Sequence, residues 1–330
     1  DGTTIDKSSP IQIPGTTWND IAGGNGHSLA RKSDGTLWAW GRNNRGQLGD
    51  GTLTYRSSPV QVPGTSWNDI VGHGASSLAR KSDGTLWAWG CNSGGRLGDN
   101  TTIPKSSPVQ IPGTTWNDIA GGYSFSLARK TDGTLWSWGY NGSGQLGDGT
   151  KIDRSSPVQI PGTSWNDMVG GNYYSLARKT DGTLWSWGLN YFGQLGDGTI
   201  INKSSPIQIP GTSWNDIAGA RCHSLARKSD GTLWTWGNNS SGRLGDNTTI
   251  PKSSPVQIPG TTWNDIAVGS AWSLARKTDG TLWSWGYNFG GNLGDGTRSS
   301  RSSPIQVPGN TWNDITNSRN SYHALARKSV

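Results

Sequence analysis

Acid–base transfer, metal ligation and thiol chemistry would fall in this 330-residue chain to four histidines, two cysteines and 22 aspartates, because it contains no glutamate. Three of the histidines, His27, His73 and His323, occupy comparable places in successive stretches, so a metal cluster is the reading to test first. Such a cluster needs second-shell acceptors to orient the rings, and isolated surface histidines are the simpler expectation. The aspartates are almost all periodic: seven follow Trp-Asn, six precede a Gly in a turn, and seven recur at a fixed interval, leaving Asp6 and Asp153 as the irregular pair. A general acid and a general base need two carboxylates in different environments, and no such pair stands out. Cys91 and Cys222 have no metal-like spacing and read as free thiols. The Gly-Asp-Gly-Thr runs lack the dense oxygen ligands that Ca²⁺ takes and read as turns. No enzyme activity, cofactor or metal is expected.

The elements that carry these residues are written into a repeated hairpin. Residues 28–41, SLARKSDGTLWAWG, alternate with period two on either side of Asp34-Gly35, a tight-turn signal between two strands. The hairpin recurs at 77–90, 126–139, 175–188, 224–237 and 273–286, and an incomplete copy closes the sequence at 324–329. The period is 49, with units beginning at Asp1, Asp50, Asp99, Asp148, Asp197, Asp246 and Asp295. Residues 99–120 and 246–267 are identical, so a block of three units reads as copied whole. Each unit offers four strands, typified by residues 18–23, 28–32, 36–41 and 59–63. Four short antiparallel strands per 40–50 residues are the signature of a propeller blade. The expectation is an all-β, seven-bladed β-propeller of four-stranded antiparallel blades, with residues 1–330 as one domain. The tryptophans of the third strand suit the gaps between blades.

Composition agrees with short strands and turns: 50 glycines, 20 tryptophans and 31% hydrophobic residues. No run of about 18 apolar residues encodes a membrane helix. The chain starts at Asp1 without a leader or an initiator Met, as a processed or trimmed chain would. Its net charge is +7, but 14 of the 29 basic residues lie in Ala-Arg-Lys triplets and seven precede Ser-Ser-Pro. Charge spread one set per repeat argues against a nucleic-acid footprint, which would be clustered.

Residues 40–49 (WGRNNRGQLG) and 24–30 (GNGHSLA) resemble the regulator of chromosome condensation repeat family, and the resemblance recurs six times along the chain. It implies a seven-bladed propeller in which the N- and C-terminal pieces complete one blade together. That blade would lack its third strand, because only six Thr-Leu-Trp-x-Trp-Gly segments exist. Members of the family include an exchange factor for a small GTPase and an inhibitor that grips β-lactamases through one face. Neither activity is carried over to this chain.

The units differ in three places: between the first and second strands, after the third strand, and before Ser-Ser-Pro. All three belong to one end of an antiparallel blade. On that end stand all eight Tyr, three Phe and four His of the chain. The expected contact residues are His27, Arg42, Arg45, Tyr55, His73, Tyr123, Phe125, Tyr140, Tyr173, Tyr174, Tyr191, Phe192, Arg221, His223, Trp272, Tyr287, Phe289, Arg319, Tyr322 and His323. Drifting loops collect Ser, Asn, Asp and Gly, whereas these collect types enriched at contact hot spots. The reading is a non-enzymatic scaffold that presents one variable face to a protein partner. A glycan-binding lectin is the alternative, although repeated sugar sites would repeat their residues. A recently amplified or engineered scaffold without a selected ligand is the third reading. An unfilled strand position in the seventh blade would also accept a strand from another chain.

Overall fold

The computed structural model describes residues 2–4, 11–315 and 326–328. Its first sheet runs β1 (Trp18–Gly23), β2 (His27–Lys32), β3 (Leu37–Gly41) and β4 (Arg56–Val62), hydrogen-bonded in chain order and antiparallel throughout. Five further four-stranded sheets of the same order occupy residues 67–111, 116–159, 165–209, 214–258 and 263–307. The strands Trp312–Ile315 and Ala326–Lys328 make a two-stranded seventh. Among the described residues there is no α-helix, and nothing is long and apolar enough to be a membrane-spanning helix. The closure expected from residues 8–14 and from the last copy falls largely outside the described residues.

The third strand starts one residue later than expected and the fourth ends one residue earlier, and two further boundaries differ with consequences for the site. The fourth strand starts at Arg56 rather than Pro59, so the basic residue before Ser-Ser-Pro is a strand residue opposite Gly41. The proline is tolerated because this strand is an edge strand of its sheet. The second strand starts at His27 rather than Ser28, which brings His27 into register with Gly41. That one-residue difference decides the burial of the candidate site residues.

The chain packs as two compact units, residues 1–142 with 152–162, and residues 143–151 with 163–330. Within each unit the core lies between successive sheets. Leu29, Leu37, Ala39, Leu48 and Val62 of the first sheet bury against Trp67, Ile70, Ala79 and Trp89 of the second. In the second unit, Leu176, Leu184, Leu195 and Ile209 meet Trp214, Ile217, Ala226 and Trp236 in the same way. The alternation of β3 explains the arrangement, since Leu and Ala face one gap and the two Trp face the other. Trp67 stands edge-on to Trp87 at 6.3 Å and tilted to Trp89 at 6.0 Å. The Lys81 ammonium caps this group, 4.9 and 4.7 Å from the Trp67 and Trp87 ring centroids.

Candidate functional site

The loop between the third and fourth strands is organised by one asparagine. Asn92 is fully buried, and its Nδ2 donates to Asp99 Oδ1 and to the carbonyls of Thr101 and Ile103 at 3.0–3.1 Å. Its Oδ1 accepts from the Leu97 amide at 2.9 Å. Asp99 in turn accepts from the Thr101 amide and hydroxyl and pairs with Lys105 at 3.4 Å. The same set recurs at Asn43, Asn190, Asn239 and Asn288. Gly-Asp-Gly-Thr and Gly-Asp-Asn-Thr are therefore turns whose carboxylate is consumed internally. At Asp295 burial would raise the pKa, but hydrogen bonds from Thr297, Arg301 and Asn288 override it and hold the value at about 2.

On this pinned backbone, apolar side chains project into water. Ile103, Ile152, Ile201 and Ile250 stand 49 residues apart and are 63–64% exposed. The carbonyl of each accepts from the asparagine of its own loop. Leu53, Tyr55, Tyr140, Tyr191, Ile200 and Phe289 join them, so ten of the twelve exposed large apolar side chains described lie in these loops. Tyr191 packs edge-on to Phe192 at 5.0 Å and Tyr287 to Phe289 at 5.1 Å. Arg42, Arg45 and Arg221 are exposed too, while Tyr123, Tyr173, Phe192 and Tyr287 are half-buried. The recurring isoleucine escaped the sequence reading, which weighed differences between units; an apolar residue at the same place in four of the six loops, with Thr54 and Ser299 in the others, was the available signal.

Six of the expected contact residues are interior. His27 and His73 are 3% exposed, Phe125, Tyr174 and His223 0%, and Trp272 1%. All but His73 are the first residue of a second strand, paired with the glycine that ends the third. That glycine has φ of +104 to +111°, and a Cβ on it would strike the backbone at the start of the second strand, so only glycine admits the approach. Three residues before the ring stands Gly24, Gly122, Gly171 or Gly269, where a Cβ would run into the His27, Phe125, Tyr174 or Trp272 ring. The second sheet inverts the pair, with His73 at the glycine position and small Ser76 at the ring position. Each sheet thus places one ring at this spot, and variation there repacks the interior.

These rings also tie successive sheets together. His27 Nε2 lies 3.0 Å from Ser77 Oγ, His73 Nε2 3.3 Å from Ser126 Oγ, and His223 Nε2 3.0 Å from Ser273 Oγ. Tyr174 donates its hydroxyl to the His223 carbonyl at 2.6 Å. Burial lowers the His27 pKa to about 4 and holds that of His223 well below its ordinary value, so both rings are neutral at pH 7. Among the described residues no group of three or more His, Cys or Asp side chains is arranged to hold a metal. Arg319, Tyr322 and His323 lie outside the described residues.

The repeated charges are engaged. Arg31, Arg80, Arg129, Arg178, Arg227 and Arg276 lie 3.5–3.9 Å from the Asp of Trp-Asn-Asp in the adjacent strand. Arg56 and Arg301 pair with the aspartate of their own loop at 2.8 and 3.1 Å.

Comparison with known proteins places this geometry. The regulator of chromosome condensation (RCC1) repeat matches residues 34–77, 83–129, 132–178, 181–226, 230–276 and 279–317. A second model of the repeat matches 18–47, 116–145, 166–194 and 216–243. No curated protein sequence matches the chain. Among solved structures, human WBSCR16 is 23% identical with a TM-score of 0.81, covering 97% of this chain and 89% of its own. Prp20p of Saccharomyces cerevisiae, described with its binding to Gsp1p and histones, is 23% identical with a TM-score of 0.76, covering 90% and 79%. Yeast RCC1 (Prp20) bound to Kap60 is 22% identical with a TM-score of 0.77, covering 90% and 77%. The fold is that of a β-propeller built from four-stranded antiparallel blades.

Proposed function

The chain belongs to the regulator of chromosome condensation (RCC1) repeat family, and we propose that it is a non-enzymatic scaffold that binds a protein partner through the loops between its third and fourth strands. In this reading residues 1–330 act as one seven-bladed domain. The observation that carries it is the concentration of exposed large apolar side chains in those loops: ten of the twelve among the described residues, on a backbone fixed by buried asparagines. Holding Ile103, Ile152, Ile201 and Ile250 in water costs solvation free energy that a folded monomer gains nothing from. Rigid apolar and aromatic anchors lose little entropy on docking, which is what a contact surface needs. Prp20p, of similar fold, is described by its binding to Gsp1p and histones, a precedent for a protein ligand.

The recognition surface differs from the sequence expectation. His27, His73, Phe125, Tyr174, His223 and Trp272 leave it because they are interior; the isoleucines, Leu53, Tyr55, Tyr140, Tyr191 and Phe289 carry it. The test is quantitative capture from the source material with two variants. One is Tyr191→Ser with Phe289→Ser. The other is Ser82→Glu with Thr131→Glu in the exposed hairpin turns at the opposite end of the blades. A protein retained by the parent and the hairpin variant but lost from the loop variant supports the proposal. Retention by the loop variant alone, or selective binding of a glycan from an array, overturns it.

A further inference from the structure

The 49-residue repeat is close to electroneutral. Twenty-one of the 29 basic residues and 20 of the 22 aspartates stand at repeated positions and nearly cancel. The remaining eight basic residues face only Asp6 and Asp153, so six of the seven net positive charges belong to irregular positions. Among the described residues, all the irregular basic residues lie between the first and second strands or between the third and fourth, the end of the blade that carries the exposed apolar residues. Counting basic residues per repeat hides this remainder, because the repeated majority is neutralised where it stands.

The geometry sharpens the imbalance inside each unit. In the first, Arg42 and Arg45 are exposed and neither forms an ion pair with a described residue; Arg42 donates Nε to the Asn44 side-chain oxygen at 2.9 Å. Arg96, in the loop of the next sheet, is buried and held by the carbonyls of Ser93 and Tyr123. In the second unit the equivalent Arg243 is held by Ser240 and the Ser270 carbonyl. Burial disfavours its charged form; the Cys222 sulfur acts against this and the Arg221 charge adds to it. None of these arginines has a carboxylate partner among the described residues. Exposed cations without a counter-ion are complemented by an anionic ligand.

We propose that the partner engages these loops with an acidic protein segment, its carboxylates against the irregular arginines and its apolar residues against the exposed isoleucines and aromatic rings. The inference rests on the binding reading above and adds the chemistry of the partner. Alternation of unpaired cations with apolar anchors, Arg42 and Arg45 beside Leu53 and Tyr55 in one loop, favours a polypeptide over a polyanion of uniform charge. A nucleic acid would instead ask for a continuous basic stripe with aromatic stacking platforms.

The probe is a peptide alternating glutamate with phenylalanine, set beside its glutamine counterpart, single-stranded DNA and heparin, with affinity read across a salt series on the full chain. The loop variant is Arg42→Gln, Arg45→Gln, Arg221→Gln. The charge-matched control is Ser82→Glu, Thr131→Glu, Thr180→Glu, whose sites are exposed at the opposite end of the blades. The expected result is binding of the acidic peptide that weakens with salt, falls at least about tenfold in the loop variant and changes less than about twofold in the control. Equal losses in both variants, no preference for the acidic peptide over its glutamine counterpart, or tighter binding of DNA or heparin overturns the inference. If the acidic peptide fails while Tyr191→Ser with Phe289→Ser still abolishes capture of a protein, only the chemistry is wrong and the binding surface stands.

Discussion

Tyr174 uses its hydroxyl on the His223 carbonyl inside the protein, whereas Tyr191 leaves 71% of its surface in water. In the sequence the two look alike, each a tyrosine at a variable position of the same repeat. What separates them is the start of a strand: Tyr174 pairs with Gly188, and the glycine at 171 leaves a hollow for its ring. Ring types that differ from unit to unit read as a surface under selection, yet a hollow opposite glycine accepts any ring, and His73 with Ser76 fills it from the other side. Truncation should therefore split the set. Tyr174→Ala and Trp272→Ala are each expected to cost about 3–5 kcal/mol in urea unfolding, as large core truncations. Tyr191→Ala should stay within about 0.5 kcal/mol, as an exposed substitution does. Equal effects would mean that Tyr191 also supports the core.

At the scale of the element, much was legible. The period-two alternation and the Asp-Gly turn located the hairpins, and the first strand at Trp18–Gly23 stands as read from the sequence. Strand ends were not legible, because hydrophobic alternation stops before the ladder does: Arg56 and His27 are polar residues held in the sheet by pairing with Gly41. The first strands carry a further consequence. Burial raises the pKa of Asp69 and Asp216 to about 6; Arg80 and Arg227 pull against it, and neighbouring aspartates add to it. The native state then holds these protons more tightly than the unfolded chain, whose aspartates titrate near pH 4. The stability they contribute is complete below pH about 4 and is lost as the pH rises through about 6. The loop aspartates, with depressed pKa values, act in the opposite sense at lower pH. Asp69→Asn with Asp216→Asn should flatten the fall in urea midpoint between pH 4 and 6.5 relative to the parent. Parallel curves would show that these carboxyls titrate normally.

Across the whole molecule, the repeat explains why fold and function were unequally readable. Scaffold positions recur six times and reinforce one another, so blade architecture was legible from the period and strand pattern, and the family from the resemblance of residues 40–49 and 24–30. The proposed contact surface is made of what the repeat does not cancel: side chains left outside, and charges left over. Exposure of an isoleucine in a turn depends on an asparagine that fixes the turn from beneath, and neither residue announces this singly. The two ends of the blades should thus differ in role. One carries capped hairpin turns with Lys stacked on Trp, as Lys130 sits 4.5 Å from the Trp136 ring centroid; the other carries arginines without a described carboxylate partner and exposed apolar side chains. Amide hydrogen exchange on the complex with the captured protein tests this division most directly. Slowed exchange is predicted in the loops over residues 42–55, 91–104, 140–153, 189–202, 238–251 or 287–300, with the hairpin turns at 33–36, 82–85, 131–134, 180–183, 229–232 and 278–281 unchanged. Protection confined to those turns would contradict the account.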